Sequence, residues 1–244
     1  MGFASQVRKI TKAEKSHRFL ILGLDNAGKS TLLAAALGDD IHSIVPTAGF
    51  RISTHDAHRL LGQPRGTVSE SEPDPLGTVH LWDIGGQACL RSFWSNYYER
   101  SSGILFVVDA SVSFAPDGLG SQQVQLALRK DQWFAEIRRI LKEQADPTSA
   151  LAGVPLLIAL NKCDHGHEAD ALAATVRSFI ATETAATVEE SSATPPSSSP
   201  VTLLLAEPPI GLVSVSAHTG FNVHAAFAWL VAASTTLQRT RVTV

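Results

Sequence analysis

Residues 23–30 have the composition and spacing of a loop that binds phosphate groups. Their sequence is Gly-Leu-Asp-Asn-Ala-Gly-Lys-Ser, and they lie between an apolar run that predicts a strand and a segment of helical period. Backbone N–H groups of such a loop wrap a phosphate, and the positive end of the following helix assists. We expect Lys29 to neutralise the β- and γ-phosphates and the Ser30 hydroxyl to bind Mg²⁺. The candidate phosphate-binding residues are Gly23, Asp25, Asn26, Ala27, Gly28, Lys29, Ser30 and Thr31.

The segment Asn-Lys-Cys-Asp at 161–164, directly after the predicted strand 155–160, indicates which base is bound. The Asp164 carboxylate can accept hydrogen bonds from N1–H and the 2-amino group of guanine. Adenine lacks this donor pair and would leave the carboxylate unpaired, at a cost of about 1–3 kcal/mol. We expect Asn161 to tie this loop to the phosphate loop and the Lys162 stem to lie over the base. The last predicted strand leads to Ser216, Ala217 and His218, and the Ala217 N–H can contact the guanine O6.

A third motif, Trp-Asp-Ile-Gly-Gly-Gln at 82–87, ends the strand that begins near Thr78. Asp83 can reach Mg²⁺ through a water molecule, and the Gly86 N–H can meet the γ-phosphate. Gln87 would then orient a water molecule for in-line attack, which makes it the candidate catalytic residue. These roles require a nucleoside triphosphate, so the motif predicts hydrolysis of GTP.

Thr47, in the segment Pro-Thr-Ala-Gly-Phe at 46–50, is the fourth element of this chemistry. It can complete a Mg²⁺ shell with Ser30 and Asp83 only when a γ-phosphate is present, so its loop would order and disorder with the nucleotide. The residues before it are Ile, Val and Pro, and none is an arginine that could assist hydrolysis. We therefore expect intrinsic turnover on the order of 10⁻⁴ to 10⁻³ s⁻¹, rising when an activating protein supplies the arginine.

Strands and helices alternate along most of the chain and position these motifs. Continuously apolar runs predict strands at 19–24, 50–53, 78–82, 103–108, 155–160 and 211–215, and helical periods lie near 29–37, 89–99, 122–144, 168–182 and 221–238. This order predicts an α/β fold, a mostly parallel sheet with helices on both faces. The strands near 50 and 80 have no convincing helix between them. They predict an antiparallel hairpin with a long tip.

The predicted organisation is an N-terminal amphipathic helix over residues 1–16 and one domain over 17–240, with insertions near 60–77, 110–123 and 182–209. The last insertion is rich in Ser, Thr, Ala and Pro, and its composition predicts a disordered segment with no packed element. A solvated spacer is one interpretation of it. A phosphorylated or partner-binding loop is the other.

Charge and composition exclude several classes of protein. The 244 residues carry 20 basic and 23 acidic side chains, so we expect no nucleic-acid partner. Two cysteines are too few for a disulfide framework or a zinc site, which indicates free thiols in a reducing compartment. The longest apolar stretches are too short to cross a bilayer, and no secretion signal opens the chain. We therefore expect a mainly cytoplasmic protein.

Taken together, these motifs resemble the ADP-ribosylation-factor (Arf and Arf-like) small GTPases. Asp25 and Asn26 within the phosphate loop and the double glycine before Gln87 are typical of that family, and residues 90–99 are similar to its Arf-like branch that serves tubulin-folding cofactors and lipid carriers. The resemblance implies a six-stranded Ras-like fold whose 50–83 hairpin shifts register on GTP loading. It also implies an aromatic effector-facing trio, Phe50, Trp82 and Tyr97, for which packing within the protein itself is the alternative.

The N-terminus and the partners leave alternatives open. Gly2 follows Met1 as in myristoylated relatives, yet position six is Gln rather than the Ser or Thr of the acylation pattern. Residues 2–12 predict an amphipathic helix that can contact a membrane peripherally or pack on the protein. The resemblance implies GTP, GDP and Mg²⁺ as ligands, and effectors, an exchange factor and an activating protein as partners, in vesicle trafficking, lipid-cargo release or tubulin folding. It places the protein in the cytoplasm, on internal membranes or near microtubule-organising structures. A GTP-loaded scaffold with incidental hydrolysis and a membrane-recruited trafficking Arf are the alternatives.

Overall fold

The structure, a computed structural model, describes residues 16–63, 77–111, 121–165, 169–184, 200–205 and 207–242. Its strands are β1 (Ser16–Leu22), β2 (Phe50–Asp56), β3 (Thr78–Ile84), β4 (Gly103–Asp109), β5 (Leu156–Asn161), β6 (Thr202–Leu205) and β7 (Ile210–Ser214). Its α-helices are α1 (Lys29–Leu37), α2 (Ala57–Leu60), α3 (Ala88–Arg91), α4 (Ser121–Ala145), α5 (Ala169–Thr184) and α6 (Val223–Val242). Short 3₁₀ turns lie at Ile41–Ser43, Trp94–Tyr97 and Cys163–His165.

The strands form one mixed sheet in the order β2-β3-β1-β4-β5-β7-β6. Strands β3, β1, β4, β5 and β7 run parallel to one another. At one edge β2 pairs antiparallel with β3, and at the other edge β6 pairs antiparallel with β7. The predicted α/β class and the hairpin of β2 and β3 are confirmed. Because the parallel strands all end at the same edge, the loops that follow them converge there, which is where open α/β sheets bind ligands.

Two hydrophobic cores cover the two faces of the sheet. Phe19 and Ile21 of β1 face one core together with Phe227 of α6, whereas Leu20 and Leu22 face the other. All six residues of β5 are buried, as expected for a strand covered on both sides. Within the described ranges, no helix is both long and apolar enough to cross a lipid bilayer.

A seventh strand corrects the prediction of six strands and of an insertion without packed elements. The predicted insertion 182–209 contains β6, in which Thr202, Leu203 and Leu205 pair with β7. Leu204 of this strand and Val201, just before it, are buried. The composition of the insertion concealed this strand because its Ser and Pro residues outnumber the short apolar run at its end. That run becomes a strand because the edge of β7 offers it backbone partners and an apolar face.

Two other local predictions were wrong. The chain after β2 forms the short helix α2, whose Ala57 and Leu60 are buried, although no helix was expected between the hairpin strands. The single helix expected over 89–99 is instead α3 followed by the 3₁₀ turn Trp94–Tyr97. The predicted N-terminal helix lies outside the described residues, except for Ser16, which begins β1. The hairpin tip at 64–76 and the segments 112–120 and 185–199 also lie outside them. The predicted division into domain and insertions stays a prediction.

Candidate nucleotide-binding site

The phosphate loop joins β1 to α1 and folds around the Lys29 ammonium. Gly28 lies directly before α1, as its N-cap, with φ 84°, a left-handed conformation that favours glycine. A Cβ there would lie 2.4 Å from the Asn161 side-chain nitrogen. Lys29 Nζ donates to the carbonyls of Gly23 (3.0 Å) and Leu24 (2.8 Å). Burial lowers the pKa of Lys29 to about 8, against the attraction of the Asp83 and Asp25 carboxylates. A buried ammonium held over the loop is positioned to meet a phosphate.

Three oxygen-bearing side chains meet beside this loop. The Ser30 hydroxyl lies 2.5 Å from Asp83 Oδ2 and 2.8 Å from Thr47 Oγ1, and the Thr47 hydroxyl donates to the same Asp83 oxygen at 3.0 Å. Asp83 is 3% exposed, and its other oxygen, Oδ1, is buried with no hydrogen-bond partner among the described residues. An unpartnered carboxylate oxygen next to two hydroxyls fits Mg²⁺, which prefers oxygen ligands and takes few of them from the protein when a nucleotide supplies the rest.

No cluster of three or more His, Cys, Asp or Glu side chains that could hold a metal ion occurs within the residues that the structure describes. The three predicted metal ligands, Ser30, Thr47 and Asp83, lie together through their mutual hydrogen bonds. They come from α1, the loop before β2 and the end of β3.

A cavity of about 410 Å³ opens next to this cluster. It is lined by the phosphate loop, by the segment 44–47 and by the residues that follow β3: Asp25, Asn26, Gly28, Lys29, Ser30, Thr31, Ile44, Val45, Pro46, Thr47, Gly85, Gly86 and Gln87. Gln87 is exposed, so its side chain is free to turn towards the cavity. Gly86 lies so close to the phosphate loop that a Cβ would stand 2.3 Å from the Gly23 carbonyl oxygen. Most of the predicted phosphate-binding residues, the predicted magnesium ligands Ser30 and Thr47, and the predicted catalytic Gln87 thus line one cavity. Asp83 is not in its lining but contacts both Ser30 and Thr47.

Asn161 connects the three loops that the sequence assigned to the nucleotide. It is 1% exposed, its Nδ2 donates to the Ala27 carbonyl at 2.9 Å, and its Oδ1 accepts from the Ala217 N–H at 3.0 Å. Lys162 reaches back over the phosphate loop, where Nζ donates to the Asn26 carbonyl (2.8 Å) and pairs with Asp109 Oδ2 (2.6 Å). The base loop and the phosphate loop are therefore held together by the buried hydrogen bond from Asn161 to Ala27 and by the more exposed one from Lys162 to Asn26.

Asp164 lies at the rim of the base loop in its charged form. A hydrogen bond from the Ser216 hydroxyl is the main reason that the pKa of this carboxyl is lowered, with smaller contributions from His165 and His218. A charged carboxylate only accepts hydrogen bonds, which suits the two donors of guanine. Cys163 has a raised pKa because of burial and the neighbouring Asp164, so it is a poor nucleophile. Cys89 and Cys163 are both free thiols, as expected.

The three aromatic residues singled out for effector binding lie together beside β2 and β3. The ring centroids of Phe50 and Trp82 are 6.2 Å apart, those of Phe50 and Tyr97 5.5 Å, and those of Trp82 and Tyr97 6.0 Å. Phe50 is 49% exposed, while Trp82 and Tyr97 are partly buried against the core. The Arg18 guanidinium stacks 3.7 Å from the centre of the Trp82 ring and donates to the Tyr97 carbonyl. The trio therefore forms an aromatic surface that is backed by Arg18.

Several residues that sequence reasoning did not single out take part in the site. Arg91 and Arg129 both approach the Asp25 carboxylate, at 3.5 Å and 3.6 Å. His42 lies edge-on to His218, with ring centroids 6.5 Å apart. The sequence alone does not pair these residues with their partners, because each meets its partner across a long separation in the chain. An arginine four positions after Gln87 was the one available signal. Gly2 lies outside the described residues.

Comparison with known proteins agrees with this architecture. The model of the ADP-ribosylation factor family matches residues 3–234. ADP-ribosylation factor-like protein 2 from Drosophila melanogaster is 34% identical over 164 residues, 67% of this chain and 70% of that protein. The protein of the same name from Arabidopsis thaliana is 36% identical over 67% of this chain and 69% of its own length. ADP-ribosylation factor-like protein 3 from Chlamydomonas reinhardtii is 32% identical over 67% and 72%.

Among solved structures, the Arl6 BBS3 small GTPase from Trypanosoma brucei, with the bound nucleotide analogue GppNp, superimposes with a TM-score of 0.58. The match covers 91% of this chain and 99% of that one at 23% identity, which supports the fold. The fold and these comparisons identify a P-loop small GTPase. The chain belongs to the ADP-ribosylation factor family.

Proposed function

We propose that this protein is an Arf-like molecular switch that binds GTP and GDP with Mg²⁺ and hydrolyses GTP slowly. The observation that carries the proposal is the contact of Thr47 with Ser30 and Asp83 beside the buried Lys29. It brings a segment from outside the phosphate loop into the candidate magnesium site. A loop that is held by the metal and the γ-phosphate can change its order when the γ-phosphate is lost, which is the physical basis of a switch.

Each residue has a defined role in this proposal. Ser30 and Thr47 would hold Mg²⁺ directly and Asp83 through a water molecule, and the ion neutralises charge on the phosphates when it is bound. Lys29 offers a positive charge to the β- and γ-phosphates, and the Gly86 N–H donates to the γ-phosphate. Gln87 orients the attacking water. In the base loop, Asp164 binds the guanine edge, Asn161 and Lys162 support it, and Ser216, Ala217 and His218 complete its surroundings.

Hydrolysis would be slow without a partner. The residues before Thr47 that line the cavity are Ile44, Val45 and Pro46, so this segment supplies no positive charge for the transition state. We expect intrinsic turnover on the order of 10⁻⁴ to 10⁻³ s⁻¹ and a large acceleration by an activating protein that inserts an arginine. An exchange factor would return the protein to its GTP-bound form.

Gln87→Leu tests hydrolysis directly. Since leucine cannot orient water, we expect the single-turnover rate of GTP hydrolysis in cell extract to fall at least roughly tenfold, with GTP affinity unchanged within about twofold. Gln63→Leu, the same change at an exposed glutamine outside the cavity, serves as the matched control. An unaltered lifetime of GTP on the Gln87 variant would favour the scaffold alternative, in which hydrolysis is incidental.

The aromatic trio is the proposed effector surface. Phe50 is the first residue of β2 and follows the Thr47 segment, so a rearrangement of that segment would also move the exposed ring. Lipid-carrier or tubulin-cofactor proteins are the partners that we propose, since residues 90–99 resemble the Arf-like branch that serves them. This assignment favours lipid-cargo release or tubulin folding over coat-dependent vesicle trafficking.

A cytoplasmic location is proposed, with peripheral contact to internal membranes through residues 2–12 or placement near microtubule-organising structures. Phe3, Val7 and Ile10 would provide the apolar face of that helix. The protein expressed in eukaryotic cells is expected to bind anionic liposomes weakly in its GDP form and in complex with a non-hydrolysable GTP analogue. A Gly2→Ala control separates acylation from the helix. Strong binding that requires the GTP analogue and Gly2 would instead support a membrane-recruited trafficking protein.

A further inference from the structure

The two peptide groups that precede Gln87 are both held by side chains from the segment that follows it. The Trp94 indole N–H donates to the Gly85 carbonyl at 3.2 Å, and Arg91 Nε donates to the Gly86 carbonyl at 2.9 Å. A peptide group is planar, so its carbonyl and its N–H cannot rotate independently. Trp94 therefore fixes the group that carries the Gly86 N–H, and Arg91 fixes the group that carries the Gln87 N–H.

Arg91 is largely buried for a charged side chain, with 11% of it exposed. Besides Gly86, its guanidinium contacts Gln132 Oε1 of α4 at 3.2 Å and Asp25 Oδ1 of the phosphate loop at 3.5 Å. The Arg91 carbonyl in turn accepts from Arg139 Nη2 at 2.9 Å. The planar guanidinium can serve several acceptors at once because its donors point in fixed directions. One side chain thus joins the phosphate loop, the Gly86 segment and α4.

The position of Gly86 leaves little freedom for rearrangement. A Cβ at this residue would lie 2.3 Å from the Gly23 carbonyl oxygen and 2.4 Å from the Asp25 nitrogen, so its backbone packs directly on the phosphate loop. Trp94 itself is fully buried and packs edge-on to Phe106, with ring centroids 6.3 Å apart. The donor to the Gly85 carbonyl is therefore anchored in the core of the domain rather than on a mobile surface.

We propose that Arg91 and Trp94 are positioning residues for the triphosphate form of the nucleotide. They hold the Gly86 N–H and the backbone of Gln87 in the orientation needed at the γ-phosphate, and Arg91 ties this orientation to Asp25. The inference rests on the proposed function. GDP has no γ-phosphate, so these contacts contribute to the binding of GTP and to its hydrolysis, and little to the binding of GDP.

The test compares affinities for GDP and for a non-hydrolysable GTP analogue in the full-length chain. Arg91→Lys keeps a positive charge near Asp25 but cannot reproduce the fork that also reaches Gly86 and Gln132. We expect GDP affinity within about twofold of the original protein, GTP-analogue affinity weakened roughly tenfold and single-turnover hydrolysis slowed roughly tenfold. Trp94→Phe, which removes the N–H and keeps an aromatic ring, should shift the same ratio of affinities. Arg138→Lys, at an exposed ion pair with Glu183, is the matched control and should change neither affinity.

Equal losses of affinity for GDP and for the analogue would assign Arg91 a purely structural role and overturn the proposal. Unchanged affinities and rate in both variants would overturn it as well. If the original protein bound neither guanine nucleotide, the proposed function would fail and this inference with it. Normal binding by the original protein with an unchanged ratio in the variants would reject the inference alone.

Discussion

Replacing Asp164 with asparagine is expected to weaken GTP binding by roughly 10³-fold. The carboxylate is the proposed acceptor for two guanine donors, and hydrogen bonds to a charged group contribute about 1.5–3 kcal/mol each. An asparagine amide offers one acceptor oxygen and places an NH₂ donor against the 2-amino group, so one favourable contact becomes a clash of donors. Direct titration with fluorescent GTP and GDP analogues would measure the loss. Because the side chain lies at the rim of the site, the free energy of unfolding should change little.

The same variant offers a test of rescue. Xanthine carries a 2-oxo group in place of the 2-amino group, so the asparagine NH₂ can donate to it and recover the lost affinity. Asp170→Asn, at an exposed carboxylate on α5, is the matched control and should bind GTP normally. Equal binding of GTP and ATP by the unmodified protein, or normal GTP binding by the Asp164 variant, would contradict the assignment of Asp164 to the base.

Asn161→Ala is expected to lower both the stability of the fold and the affinity for guanine nucleotides. The change would leave the buried Ala27 carbonyl and Ala217 N–H without their partners, and each unpaired group costs about 1–3 kcal/mol. We expect the free energy of unfolding to fall by roughly 2 to 4 kcal/mol and guanine-nucleotide affinity to fall by roughly 100-fold or more. Denaturant unfolding with and without GDP would measure both quantities.

Asn96→Ala provides the comparison for this prediction. Asn96 is exposed, so its truncation should change stability by less than about 0.5 kcal/mol. A loss of stability in the Asn161 variant without a loss of nucleotide affinity would mean that the three loops keep their arrangement without this side chain. That result would contradict the view that Asn161 holds the base loop and the phosphate loop together.

Much of the site was predictable because its chemistry is local in sequence. A phosphate loop needs backbone N–H groups, a lysine and a hydroxyl within eight residues, and these requirements place Gly28, Lys29 and Ser30 next to one another along the chain. The strands that carry the motifs were also predictable, since β4 and β5 are buried on both faces and are therefore continuously apolar. The proximity of Thr47 to Ser30 and Asp83 was also predictable, because the sequence analysis assigned all three residues to one metal ion.

Strand β6 and helix α2 could not be predicted, because they depend on contacts between residues that are far apart in the sequence. Strand β6 exists because β7 offers it an edge, and α2 exists because Leu60 finds a buried position, where it packs with α1 and α6 residues such as Leu32 and Phe227. The four residues of α2 would be too few to form a stable helix alone.

The chain by itself therefore predicted the class of fold, a guanine nucleotide as the ligand and the residues that would contact it, because each motif is short and has strict chemical requirements. The tertiary structure alone decided how these motifs are supported. Arg91 lies 66 residues from Asp25 and 41 from Gln132, and only the packing of the phosphate loop, α3 and α4 brings the three side chains together. The motifs can be read from the sequence because their residues are neighbours along the chain. The contacts of Arg91 that support them cannot, because they form only when distant segments pack together.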